Sequence, residues 1–141
     1  MITNFYKNIS NLLSPFIFFY FVLRFFFSKE DKGSLLKKFG LCKIKRPNGK
    51  LVWINGVSIG EAKSGITLAE EILKNNSNTT ILFTTSTLTA FKVISSLQDN
   101  FIITYTPVDI SFIVKRFIKF WKPDLTIFME SEIWPNIITE L

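Results

Sequence analysis

The sequence predicts an α/β fold, a parallel sheet with flanking helices, preceded by an N-terminal membrane-anchor helix. Three observations carry this expectation. From Leu51 onward, four short apolar runs alternate with four helical patterns, as successive βα units require. Residues 12–27 form the most apolar stretch of the chain. Directly after them, residues 29–50 hold eight basic residues against two acidic ones, which accounts for the whole formal net charge of +6. The 141 residues leave room for one hydrophobic core. The division expected is an anchor or interfacial helix over 1–28, a basic linker over 29–50 and the sheet domain over 51–141.

The apolar stretch has 16 positions and contains Arg24, whereas a spanning helix needs about 20. Bulky Phe25, Phe26 and Phe27 follow it and no small-residue cleavage pattern appears, so a cleaved signal peptide is not expected. Two readings remain: an anchor whose Arg24 reaches the headgroups, or an aromatic helix lying in the interface. In both, the basic flank places the rest of the chain on the cytoplasmic side.

Leu51-Val52-Trp53-Ile54, closed by Asn55-Gly56, reads as the first strand. Ala62, Ile66, Ala69, Ile72 and Leu73 recur at helical spacing after it, and Asn75-Asn76 ends that helix. Residues 80–85 make the second strand, 88–97 the second helix and 101–105 the third strand. An Asp109-led helix follows, with Ile110, Ile113, Val114, Phe117, Ile118 and Trp121 on one face and Pro123 as its stop. Residues 125–129 form the fourth strand, leading into a helix over 131–141.

Ligands of such sheets bind at the carboxyl ends of the strands, near the turns into the following helices. Those turns hold Gly56-Val57-Ser58-Ile59-Gly60-Glu61, Thr84-Thr85-Ser86-Thr87, Pro107-Val108-Asp109 and Glu130-Ser131-Glu132. One Cys and no His exclude a disulfide framework, a zinc or redox Cys pair, and Ser-His-Asp or Cys-His catalysis. Acid–base work must fall to a carboxylate, Lys or Tyr. Gly56, Gly60 and Gly65 match neither a dinucleotide fingerprint nor a P-loop. The basic residues lie beside the apolar stretch rather than along a recognition element, so no nucleic-acid partner is expected.

Ser58-Ile59-Gly60-Glu61 fits a capping box, in which Ser58 caps a helix and Glu61 reaches back to the backbone. Glu61 is equally a candidate base at the ligand edge, although a helix N-terminus stabilises its anion and weakens it as a base. Glu130 and Glu132 either complement a helix dipole or present an anion that stabilises developing positive charge.

Val57-Ser58-Ile59-Gly60-Glu61, Thr84-Thr85-Ser86-Thr87-Leu88-Thr89, Tyr105-Thr106-Pro107-Val108-Asp109 and Met129-Glu130-Ser131-Glu132-Ile133-Trp134-Pro135-Asn136, in this order and spacing, resemble the 3-deoxy-D-manno-octulosonic acid (Kdo) transferases of lipopolysaccharide synthesis. Lys38-Phe39-Gly40 matches the family's basic segment before the first strand. The resemblance implies the Rossmann-like N-terminal lobe of a GT-B glycosyltransferase, inverting, with no metal or cofactor. It implies transfer of Kdo from CMP-Kdo to a lipid A precursor at the cytoplasmic face of the inner membrane. Glu61 would be the general base and Glu130 the transition-state stabiliser, with Ser58, Gly60, Thr85 and Glu132 binding substrate. Ala90 and Lys63 depart from the family pattern. The family's second lobe, which binds CMP-Kdo, is expected to be missing from these 141 residues, so the chain alone is expected to be inactive or to act as an acceptor-binding module.

Overall fold

A computed structural model describes residues 2–42, 44–97, 101–130 and 134–141. Its elements are α1 (Ile2–Leu12), α2 (Ser14–Phe26), α3 (Lys32–Lys38), β1 (Lys50–Asn55), α4 (Ile59–Asn75), β2 (Thr79–Thr85), α5 (Leu88–Leu97), β3 (Ile102–Tyr105), α6 (Ser111–Trp121), β4 (Leu125–Phe128) and α7 (Pro135–Glu140). The four strands form one parallel sheet in the order β3-β2-β1-β4, so the fold is α/β and Rossmann-like as expected. The chain divides into two compact units.

The sheet unit comprises the described residues of 44–106 and 121–132. In β1 and β2, alternate residues Val52, Ile54, Ile81 and Phe83 form one buried face, and the apolar stripe of α4 (Ala62, Ile66, Ala69) packs with them, joined by Ile94 of α5. The opposite alternation, Leu51, Trp53 and Leu82, is also fully buried, so these strands read as continuous apolar runs. Gly65 lets α4 approach the sheet: a Cβ there would lie 2.8 Å from Phe83 Cζ and 3.3 Å from Ile54 Cγ2. Gly65→Val is therefore expected to lower the thermal midpoint, overpacking costing about 1–3 kcal/mol. Gly65→Ala should cost less, because its helix propensity returns about 1 kcal/mol. An alanine variant more stable than wild type would show that the Phe83 ring turns aside freely.

The other unit comprises the described residues of 1–43, 107–120 and 133–141. One anchor helix was the expectation for its start, but two are present, bent by 55°. Pro15 has no N–H to continue the ladder of α1 and suits the first turn of a new helix, so the chain breaks at Leu13 and restarts as α2. No single helix among the described residues is long and apolar enough to cross a membrane; α1 and α2 pass that test only as the bent pair. None of the α2 residues is buried, and Phe16 and Phe19 stand 72% and 61% exposed.

The basic segment contains α3, which is closed at both ends by local geometry. Asp31 accepts the Ser34 N–H (2.6 Å) while the Ser34 hydroxyl accepts the Asp31 N–H (2.9 Å). At the other end Gly40 takes φ +75°, and Gly40 and Leu41 donate to the Lys37 and Leu36 carbonyls, a Schellman closure. Arg24 is engaged within this unit. Its Nε donates to Glu30 (3.0 Å), and Lys38 Nζ and the Ser34 hydroxyl bind the same carboxylate. Glu30 is wholly buried and Lys38 is 4% exposed, and burial pulls the Lys38 ammonium below the usual amine range while Glu30 pulls it back up.

The helix expected to begin at Asp109 starts instead at Ser111. Asp109 accepts the backbone N–H groups of Asn136 (3.3 Å) and Ile137 (3.1 Å) at the start of α7, and the Tyr6 hydroxyl of α1 (3.0 Å). The Asn136 amide donates in return to the Asp109 carbonyl (2.6 Å) and to Ser10 (3.1 Å). Burial, the larger influence, pushes the Asp109 carboxyl above its ordinary 3.8 against the pull of these bonds. A raised folded value means this stability is full below pH 3.8 and is lost as pH rises through the folded value. Asp109→Asn, which does not titrate and leaves a buried N–H unpaired, is expected to cost about 1–3 kcal/mol in acid. The gap to wild type should narrow as pH rises toward neutrality, read from urea midpoints; a gap that widens would refute it.

Candidate functional site

In the order β3-β2-β1-β4 the strand sequence reverses between β1 and β4, which makes the crevice at their carboxyl ends the switch point where ligands of open α/β sheets bind. Asn55 pairs in register with Phe128, so the turns that follow these two strands lie side by side. Glu61 stands just beyond the first turn and Glu130 just beyond the second. The two glutamates singled out in the sequence thus follow the two turns at the switch point.

Glu61 is the third residue of α4, and the capping box is formed. Its carboxylate accepts the N–H groups of Val57 (2.9 Å to Oε2) and Ser58 (3.3 Å to Oε1), and Ser58 Oγ accepts the Glu61 N–H (3.3 Å). Each carboxylate oxygen carries two acceptor positions, so one on each remains for another donor. Glu61 is half-buried, while Ser58 and Gly60 beside it are exposed. Thr85 is fully buried, and its hydroxyl donates to the Val57 carbonyl (3.1 Å). Val57 is thereby held from both sides, by Glu61 at its N–H and by β2 at its carbonyl. A Cβ on Gly56 would meet the Ala62 nitrogen at 3.2 Å, so a side chain here would press on the backbone at the start of α4. Glu130 is exposed. Glu132 lies outside the described residues.

Beneath the turns runs a buried polar chain that pattern reading missed. Trp53 Nε1 donates to Thr84 Oγ1 (2.7 Å), and the Thr84 and Thr106 hydroxyls both donate to Asn55 Oδ1 (2.7 and 2.6 Å). The Met129 N–H bonds the Asn55 carbonyl and the Gly56 N–H the Thr84 carbonyl, extending the ladders past the strand ends (3.0 Å each). Asn55 reads as a turn residue because Gly56 follows it, yet it is the last residue of β1 and buried. The available signal was register: Asn55, Thr84 and Thr104 are cross-strand partners, an aligned polar row at the sheet end. Among the described residues no group of three His, Cys, Asp or Glu side chains could hold a metal ion.

Four parallel strands with flanking helices and a strand-order reversal between β1 and β4 define a Rossmann-like lobe. The sequence profile of the 3-deoxy-D-manno-octulosonic-acid transferases (kdotransferases) matches residues 33–141. The chain is 34% identical over 137 residues to a 3-deoxy-D-manno-octulosonic acid transferase of Rickettsia bellii, covering 96% of this chain and 32% of the relative. It is 34% identical over 134 residues to a probable mitochondrial 3-deoxy-D-manno-octulosonic acid transferase of Arabidopsis thaliana (94% and 30%), and 30% identical over 141 residues to the Haemophilus influenzae transferase (97% and 33%). This chain belongs to the Kdo transferase family. It spans about a third of the length of these relatives. No solved structure matches it.

Proposed function

We propose that this chain forms the acceptor-side lobe of an inverting Kdo transferase of lipopolysaccharide biosynthesis, acting between CMP-Kdo and a lipid A precursor at the cytoplasmic face of the inner membrane. The observation that supports the proposal is the register of Asn55 with Phe128 at the strand-order reversal, which sets the turns leading to Glu61 and Glu130 side by side. Glu61 accepts the proton of the acceptor hydroxyl on a free carboxylate position. The resulting oxygen attacks the anomeric carbon of Kdo from the face opposite the cytidylate. The bond from that carbon to the phosphate oxygen breaks, and its electron pair leaves with CMP. Glu130 balances the positive charge that develops on the sugar. Ser58, Gly60 and Glu132 bind the sugars, and Thr85 fixes the turn that presents Glu61. The exposed aromatic residues over 1–28 and the basic surplus of 29–50 keep this lobe at an anionic membrane, where a lipid acceptor is concentrated.

The capping box favours a second reading, in which Glu61 is structural and the lobe only binds acceptor. A chimera joining residues 1–141 to the remainder of the Rickettsia bellii relative separates the two. Supplied with CMP-Kdo and a lipid A precursor, it is expected to release CMP and form a Kdo-bearing lipid, while residues 1–141 alone do neither. A properly folded chimera without turnover would support the binding module instead.

A further inference from the structure

Between α2 and α3 lies a cavity of about 420 Å³, walled by Phe18, Phe21 and Val22 on one side and by Lys32, Leu35 and Leu36 on the other. We infer that this cavity seats one fatty acyl chain of an anionic membrane lipid, with Lys32 meeting the lipid phosphate at its rim. The proposal rests on the cavity itself and is independent of the transfer reaction. The walls present no polar surface, so a sugar, nucleotide or peptide drawn inside would leave its polar groups unsatisfied, whereas hydrocarbon would not. The volume falls within the ~300–1,000 Å³ of small-molecule pockets. Lys32 lines the cavity and is exposed, and since the lining carries no polar surface it is the aliphatic stem, not the ammonium, that forms this part of the wall.

Charge points the same way. Of the two acidic residues of 29–50, Glu30 is buried between Arg24 and Lys38 and only Asp31, which caps α3, is exposed, so the exposed charge of the segment is predominantly cationic. The cavity is also preformed. Phe39 packs edge-on against Phe18 (5.6 Å between ring centres) and Phe21 (5.7 Å), and the Gly40 closure of α3 fixes Leu36 and Leu41 at the lining. A ready-made hydrocarbon slot on the same helix as exposed Phe16, Phe19 and Phe26 suits a chain drawn from a bilayer.

Titration of the 141-residue chain with monomeric dodecyl phosphate, below micelle formation, tests this, with dodecyl maltoside and inorganic phosphate as comparison probes. Saturable one-to-one binding of dodecyl phosphate is expected, and no binding of inorganic phosphate. Val22→Trp, which fills the slot, should weaken dodecyl phosphate binding roughly tenfold or more, and Lys32→Glu should weaken it while leaving dodecyl maltoside unaffected. A spin label at the chain end of the probe should broaden the methyl resonances of Val22, Leu35 and Leu36 before any others, a readout that needs no variant. Non-saturable partitioning, equal affinity for inorganic phosphate, or broadening without preference for these methyls would overturn the proposal.

Discussion

Glu61→Gln in the chimera is expected to lower turnover by about 10²–10⁴-fold, the usual contribution of a general base. Its stability should stay within about 1 kcal/mol of the parent, because Gln also completes a capping box. An amide oxygen still accepts one of the N–H groups that Val57 and Ser58 now direct at the carboxylate, but it takes no proton from a sugar hydroxyl. Ser58→Ala gives the opposite pattern: a cap lost, at a cost of about 1 kcal/mol, with the carboxylate retained. Steady-state rates and melting curves of the two variants therefore separate base from cap. Unchanged turnover in Glu61→Gln would remove Glu61 from the chemistry.

Glu30→Ala should be the most destabilising single change in the helical unit, at about 3–5 kcal/mol, the penalty for removing one partner of a buried ion pair. It leaves the ammonium of Lys38, 4% exposed, without its carboxylate, and frees Arg24 and the Ser34 hydroxyl from their shared acceptor. Replacing the three charges together (Arg24→Leu, Glu30→Leu, Lys38→Met) is expected to restore most of that loss, since an apolar cluster avoids the desolvation cost altogether. Urea midpoints of the single and triple variants test both statements. A single variant within about 0.5 kcal/mol of wild type would mean that water reaches Lys38.

These two groups differ in how far the sequence discloses them. Ser58 and Glu61 are three residues apart, so capping is legible from spacing alone, and the predicted face of α4 recurs in the buried Ala62, Ile66 and Ala69. The strand limits expected over 51–54 and 80–85 fall within one residue of β1 and β2, because short apolar runs between polar turns leave few alternatives. The partners of Arg24 and Asp109 are not legible in the sequence for a common reason. Each was read against its own helix, yet each is held by residues that periodicity does not connect: Glu30 with Lys38 for one, Tyr6 with Asn136 for the other. The Asn55 chain escaped similarly, since a polar residue before Gly reads as a turn until strand register places Thr84 beside it. The break at Leu13 was legible in Pro15, but apolar content outweighed it in the reading of 12–27.

The strand order carries a consequence for how the molecule assembles. In register, Lys50 meets Thr79, whereas Val52 must wait for Leu125, much farther along the chain. Closing the longer loop costs about 0.8 kcal/mol more in chain entropy than closing the shorter one. β1 and β2 are accordingly expected to pair early and β4 to dock late, in an order that pulse-labelled amide exchange during refolding would register. The switch point between β1 and β4 would then be the last part of this sheet to exist, and at the ribosome it would form only after β4 had emerged.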